Sequence, residues 1–263
     1  MIRLSRIFIY PIKSTAPLEL TEAEVQAEGL AHDRRYVVTD EKGRFFTARR
    51  FPRMVLIRCE LRDGGLRVTA PDYAGLDLQP ANFDPTYDPI KVWQDTVQGQ
   101  RCGADADQWF SDFLGLPARL YYMGEKTRRP SRAGGVVSFA DGAPLLLLAQ
   151  STVEDLNTRL DTPVEVRNFR PNLFVSGSAA YAEDDWPDFS IGPVGFEPLW
   201  RCSRCILTTV HPDTAVMDPQ KQPLATLMDY RRGEDGEAYF GRNVAPRNTG
   251  IIRAGQSVSF EKT

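Results

Sequence analysis

Across residues 2–10 apolar side chains alternate loosely with polar ones and stop at Pro11, which predicts a first strand ended by a residue with no N–H for a ladder. Residues 35–39 and 45–48 are rich in β-branched and aromatic side chains and flank Asp40-Glu41-Lys42-Gly43-Arg44, the pattern of a hairpin. A second hairpin is predicted from residues 54–61 and 66–69 around Arg62-Asp63-Gly64-Gly65. Residues 71–89, rich in Pro, Asp and Tyr, read as an irregular connection and a candidate domain boundary. Helical spacing appears at residues 105–114, with Trp109, Phe110, Phe113 and Leu114 on one side, and at residues 152–160, where Ser151 and Glu154 have capping-box spacing. The β-branched run Ile206-Leu207-Thr208-Thr209-Val210 reads as a strand. No fixed repeat or heptad is sustained, so the predicted architecture is mainly β and barrel-like with peripheral helices, an α+β fold.

Composition narrows the class. The 263 residues, 42% hydrophobic and 25% charged, have the balance of a globular protein of one large or two small domains. With 32 basic and 35 acidic side chains the net charge is −3, which provides no broad footprint for nucleic acid or an anionic membrane. Four cysteines without dense, regular spacing favour a reducing compartment, and the apolar run before Pro11 is too short for a signal peptide or a span. The expectation is a cytoplasmic protein.

Candidate chemistry centres on Cys202 and Cys205 in Arg201-Cys202-Ser203-Arg204-Cys205. Only Cys59, Cys102, His32 and His211 remain to complete a zinc tetrahedron, and none is nearby in sequence. A thioredoxin-type pair would open a helix after a strand, whereas the second cysteine here leads into a β-branched run. What is left is a cysteine at the mouth of a strand, with the neighbouring Arg204 favouring its thiolate. Lys13 and Ser14 set an ammonium beside a hydroxyl, suited to a phosphate oxygen or simply an exposed turn. Asp33-Arg34-Arg35 reads as surface ion pairing or as an anion contact, and Asn168-Phe169-Arg170-Pro171-Asn172 as a bidentate clamp or a capped loop. The basic stretch from Lys126 through Arg128, Arg129 and Arg132 to Gly135 reads as a mobile, solvated loop, the alternative being a lid over an anion. His32 and His211 are isolated, and no common hydrolase or nucleotide-binding signature occurs.

In order along the chain, Tyr10-Pro11-Ile12-Lys13-Ser14, Gly29-Leu30-Ala31-His32-Asp33-Arg34, Phe46-Thr47-Ala48-Arg49, Asp155-Leu156-Asn157, Asn168-Phe169-Arg170-Pro171-Asn172, Glu183-Asp184-Asp185-Trp186, Ile191-Gly192 and Cys202-Ser203-Arg204-Cys205-Ile206-Leu207-Thr208-Thr209-Val210 resemble the MOSC family. These are molybdenum cofactor proteins related to the C-terminal part of molybdenum cofactor sulfurase, and the resemblance is strongest to amidoxime-reducing components and their bacterial relatives. Arg170 lies 35 residues before Cys205, as that pattern requires. The resemblance implies a β-rich MOSC-associated domain over residues 1–95 and a MOSC β-barrel over residues 96–263.

It also implies that Cys205 ligates molybdenum, that Ser203 and Arg204 touch the pterin, and that Cys202 is not a ligand. Lys13, Ser14, Arg34, Arg170 and Asn172 would hold the phosphate and pterin, with backbone contacts around Gly142 and Ala143. Asn243 stands where the animal proteins have a tyrosine, Ala143 where the family has a small polar residue, and His211 where an aspartate follows Thr-Thr-Val. The implied activity is reduction of small N-hydroxylated compounds to amines or amidines by oxygen-atom transfer. Electrons would come from a separate flavin or iron–sulfur protein, because no spare cysteine cluster is present to hold an iron–sulfur centre. A sulfur-carrier or cofactor-delivery module and a non-catalytic anion-binding barrel are the competing readings.

Overall fold

The computed structural model describes residues 1–260. Its largest sheet has eight strands in the spatial order Val258–Phe260, Phe189–Ile191, Val194–Arg204, Ala238–Pro246, Leu145–Ala149, Leu173–Ser176, Arg3–Ile9 and Leu18–Leu20. Leu145–Ala149 sits inside this sheet, pairing parallel with Leu173–Ser176 and antiparallel with Ala238–Pro246, and every one of its residues is buried. An unbroken apolar run is what a strand covered on both faces requires. Side chains therefore alternate between two cores rather than between core and water. Ile7, Ile9, Leu147 and Ala149 enter one cluster, while Phe8, Tyr10 and Leu148 enter another.

A four-stranded sheet of Tyr36–Thr39, Arg119–Tyr122, Asp95–Arg101 and Tyr87–Val92 packs beside it, with two three-stranded sheets completing the β structure. The expected division at residues 95/96 falls on the strand Asp95–Arg101, which pairs with Tyr87–Val92 before it and Arg119–Tyr122 after it. Among the described residues three α-helices lie outside the sheets: α1 (Ala104–Leu114), α2 (Gln150–Asn157) and α3 (Leu224–Tyr230). Helix α1 buries Phe110 and Phe113 of the expected stripe together with Ala106, leaves Trp109 and Leu114 half-buried, and ends at Gly115 in left-handed backbone. Among the described residues no helix is long and apolar enough to cross a membrane.

Several expectations are corrected. Residues 45–48 are not a strand: Phe45 makes only an isolated bridge to Thr39, although the 40–44 turn forms. Residues 54–57 belong to a 3-10 turn and its exit, so the second hairpin begins at Arg58. Residues 71–89 hold the strand Tyr73–Leu78 and are irregular only around residues 79–86. Helix α2 begins at Gln150 and lacks the Ser151–Glu154 capping box, and the Ser151 hydroxyl has no partner. Instead Glu183, fully buried, accepts the Ala149 amide at 3.1 Å and the Thr152 hydroxyl at 3.0 Å.

This long-range cap is testable. Replacing Glu183 with Ala strands a buried amide and hydroxyl and should cost about 1–3 kcal/mol in denaturant unfolding. Ser151→Ala should stay within about 0.5 kcal/mol of the parent. Equal losses in the two variants would contradict the assignment.

Candidate functional site

The end of the long strand Val194–Arg204 builds the site. Its pairing with Ala238–Pro246 shifts register between Pro198 and Arg201 and again between Arg201 and Ser203. Such irregularities re-aim side chains. Cys205 follows at once, but the run after it is a 3-10 helix, Ile206–Thr209, rather than the predicted strand. The threonine hydroxyls explain the difference: Thr208 Oγ1 donates to the Cys205 carbonyl at 3.0 Å and Thr209 Oγ1 to the Ile206 carbonyl at 2.8 Å. Back-bonding of this kind competes with a ladder and outweighs β propensity here.

The residues that the resemblance assigned to the cofactor meet around one cleft: Lys13, Ser14, Arg34, Gly142, Ala143, Arg170, Asn172, Ser203, Arg204, Cys205 and Asn243, together with Cys202. Lys13 is 5% exposed, and its Nζ donates to the Phe139 carbonyl at 2.7 Å and to Asp141 at 2.5 Å. Burial draws its pKa down to about 8, with Asp141 opposing the shift. Arg34 pairs with buried Asp33 and donates to Asn172 Oδ1 at 2.9 Å. Arg170 donates to the Thr15 carbonyl at 2.7 Å, and removal from water lowers its pKa to about 10. The guanidinium carbons of Arg34 and Arg170 lie 4.2 and 4.1 Å from the centroid of the Tyr10 ring. Ser14, Arg34 and Arg170 all hold left-handed backbone, with φ of 74°, 49° and 58°. Strain of this kind concentrates at functional sites.

The sequence assigned Arg204 to the thiolate; the structure assigns it elsewhere. Arg204, 8% exposed, donates to the carbonyls of Phe240 and Phe169. The cation at the thiol is Arg49, whose Nη1 donates to Cys205 Sγ at 3.8 Å while its guanidinium carbon lies 4.4 Å from the Trp93 ring centroid. Trp93 Nε1 in turn donates to Asp141 at 3.1 Å. Arg49, Trp93 and Asp141 were not recognised as site residues, because nothing local marks contacts that close over such sequence separations. Asn172 is spent on the protein: it donates to the Phe8 carbonyl at 3.0 Å and accepts from Arg34 and from the Leu146 amide at 3.2 Å. Cys202 faces the same cleft beside Asn243, and burial pushes its thiol pKa up. His211 stands outside the cleft, exposed, with Nδ1 accepting the Asp213 amide.

The basic stretch is not a free loop. Thr127, Arg129 and Ser131 are buried, and Arg129 is pinned between Asp95 and three carbonyls, which the sequence's high charge and paired glycines concealed.

Charge decides what the cleft can hold. Asp33 answers Arg34 and Asp141 answers Lys13, whereas Arg170 and Arg204 donate only to backbone oxygens. Cations withdrawn from water need counter-charge, so the cleft is short of anions by about two. The amides of Asp141, Gly142 and Ala143 donate to no described residue, which adds unspent donors at its wall. A phosphate-bearing group carrying soft sulfur ligands beside one thiol fits this donor set.

Fold and cleft together define a β-rich protein with a cation-rich cleft lined by two half-buried cysteines, Cys202 and Cys205. The sequence matches the MOSC N-terminal beta barrel domain over residues 1–117 and the MOSC domain over residues 134–259, and the chain belongs to the MOSC family. It is 38% identical to mitochondrial amidoxime-reducing component 1 of Mus musculus, over 97% of this chain and 81% of that protein. The corresponding protein of Homo sapiens is 35% identical over 97% and 82%, and human mitochondrial amidoxime reducing component 2 is 34% identical over the same shares.

Lys13 gives the cleft a pH signature. As a base with a lowered pKa, it carries its charge below about 8 and loses it as pH rises through that value. Pyrophosphate binding to the cofactor-free protein, followed by calorimetry, should therefore weaken from pH 7 to 9.5 by about tenfold. Lys13→Arg, charged throughout, should remove that step; a step that persists in the variant would assign it to another group.

Proposed function

We propose that the cleft holds one molybdenum cofactor and that the chain reduces small N-hydroxylated compounds to amines or amidines. The observation that carries this reading is a half-buried thiol, Cys205, at the edge of a cleft in which Arg170 and Arg204 meet no carboxylate. The names of the relatives, amidoxime-reducing components, support it. When bound, the cofactor supplies two-electron oxygen-atom transfer from the N-hydroxylated nitrogen, the oxygen leaving as water after two electrons and two protons are delivered.

The protein's part is binding and orientation. Cys205 offers molybdenum a soft thiolate, and Arg49 holds that sulfur in place. Lys13, Ser14, Arg34 and Arg170 take the phosphate and pterin oxygens, while Ser203, Arg204, Asn243 and the backbone at Gly142 and Ala143 line the remaining wall. Asn172 acts through Arg34, since its amide is already spent on protein groups. Two sequence halves contribute to the site, an N-terminal β-rich part and a C-terminal MOSC barrel. Electrons come from a separate flavin or iron–sulfur protein. A cytoplasmic location rests on the four unpaired cysteines, and the mitochondrial names of the relatives lend it no support.

Purified from a cofactor-competent host, the protein should contain one molybdenum and one pterin per chain and consume electrons catalytically with benzamidoxime. Stoichiometric transfer of sulfur or cofactor without turnover would instead identify a carrier. Cys205→Ser should abolish turnover and change the metal's spectrum, because a hydroxyl is a harder and far less acidic donor than a thiol. Cys202→Ser should be mild; equal metal loss in both variants would make the site a two-cysteine one.

Arg170→Lys keeps the charge but not the planar fork, and should weaken cofactor retention by about 1–3 kcal/mol while leaving activity per molybdenum near the parent value. Full molybdenum with lost turnover would place Arg170 at the substrate.

A further inference from the structure

We propose that Arg129 is a positioning residue for the anion site: it fixes the peptide planes after Ala140 and Asp141 so that the amides of Asp141 and Gly142 are left to donate into the cleft. The inference rests on the reading that the cleft receives an anionic group. Arg129 is 3% exposed and does not line the cleft; it lies behind the wall, lining a second hollow with Asp95 and Asp141. Its Nε donates to Asp95 at 2.8 Å, Nη1 to the Ser138 carbonyl at 2.9 Å and to the Ala140 carbonyl, and Nη2 to the Asp141 carbonyl at 2.9 Å. Lys13 takes the Phe139 carbonyl between them at 2.7 Å. Four successive carbonyls, from Ser138 to Asp141, are thus held by two side-chain cations.

A trans peptide is planar, so fixing a carbonyl also fixes the next N–H on the opposite side. The Phe139 amide so placed meets the Arg34 carbonyl at 3.0 Å, and the Ala140 amide meets Ser138 Oγ at 3.3 Å. The next two amides, Asp141 and Gly142, find no acceptor among the described residues, although both residues line the cleft. Asp141 is exposed and Gly142 half-buried, so both amides are open to a ligand, and adjacent free donors form an anion-binding concavity. Asp95 supplies the counter-charge that keeps the guanidinium behind the wall, 32% exposed as a side chain and on the strand Asp95–Arg101. A bare ammonium in place of the fork cannot reach three carbonyls and a carboxylate together.

The test uses cofactor-free protein, pyrophosphate as the probe, and ¹⁵N-resolved spectra. In the parent protein pyrophosphate should bind and move the Asp141 and Gly142 amide resonances. Arg129→Lys should keep a cooperative unfolding transition yet lose at least about tenfold in pyrophosphate affinity, with the movement of those two resonances largely gone. Should Arg129→Lys not fold, Asp95→Asn serves: it retains the guanidinium but frees it from its anchor, and should show the same loss of amide response with affinity down by about threefold or more. Unchanged affinity and unchanged Gly142 movement in a folded variant would overturn the role of Arg129 alone. No pyrophosphate binding by the parent would overturn the reading of the cleft, and the positioning role with it.

Discussion

Arg34 and Arg170 lie over the same Tyr10 ring, and Arg170 has no carboxylate to meet it. Much of the molecule follows from that crowding. Tyr10 is fully buried in the strand-sheet core, its hydroxyl held by the Pro171 carbonyl at 3.1 Å, so the ring is a rigid platform. Cation–π contact in a desolvated place contributes about 2 kcal/mol, which offsets part of the repulsion between two like charges. Backbone strain adds to that cost: both arginines sit on left-handed backbone, each at about 1–3 kcal/mol. The large sheet, with apolar clusters on both its faces, is what over-determines these positions.

The strands that could be seen in the sequence are those whose pattern is local. Residues 3–9 and the stripe of α1 declare themselves through spacing, and Lys13, Arg34, Arg170 and Cys205 through motifs whose order matches a family. Where a side chain outranks propensity the pattern misleads. The threonine hydroxyls turn 206–209 into a 3-10 helix, and Glu183 replaces the capping box that Ser151 and Glu154 advertise. The roles of Arg49 and Arg129 were opaque for a different reason. Arg49 closes a motif of the family resemblance and Arg129 is one basic residue among many, but what each does lies in partners that topology brings near from far along the chain.

The site belongs to neither half of the chain. Lys13, Arg34, Arg49 and Trp93 come from the portion matching the N-terminal barrel, whereas Arg170, Arg204 and Cys205 come from the portion matching the MOSC domain. The ion pair of Asp95 with Arg129 joins the first portion to the segment between the two. The portions share their cores as well, Leu4, Ile7 and Val25 packing with Leu147, Leu173 and Val244, so the cleft and the core are held by the same association.

A site divided in this way makes its occupant a structural member. A group gripped from both sides binds the folded chain and not the unfolded one, and so draws the folding equilibrium toward the native state in proportion to its free concentration. Chains that go without it spend more time open and are cleared sooner by proteolysis. On the proposed reading, the amount of this protein in a cell tracks cofactor supply without any dedicated sensor, the repulsion between Arg34 and Arg170 acting as the spring that registers an empty cleft.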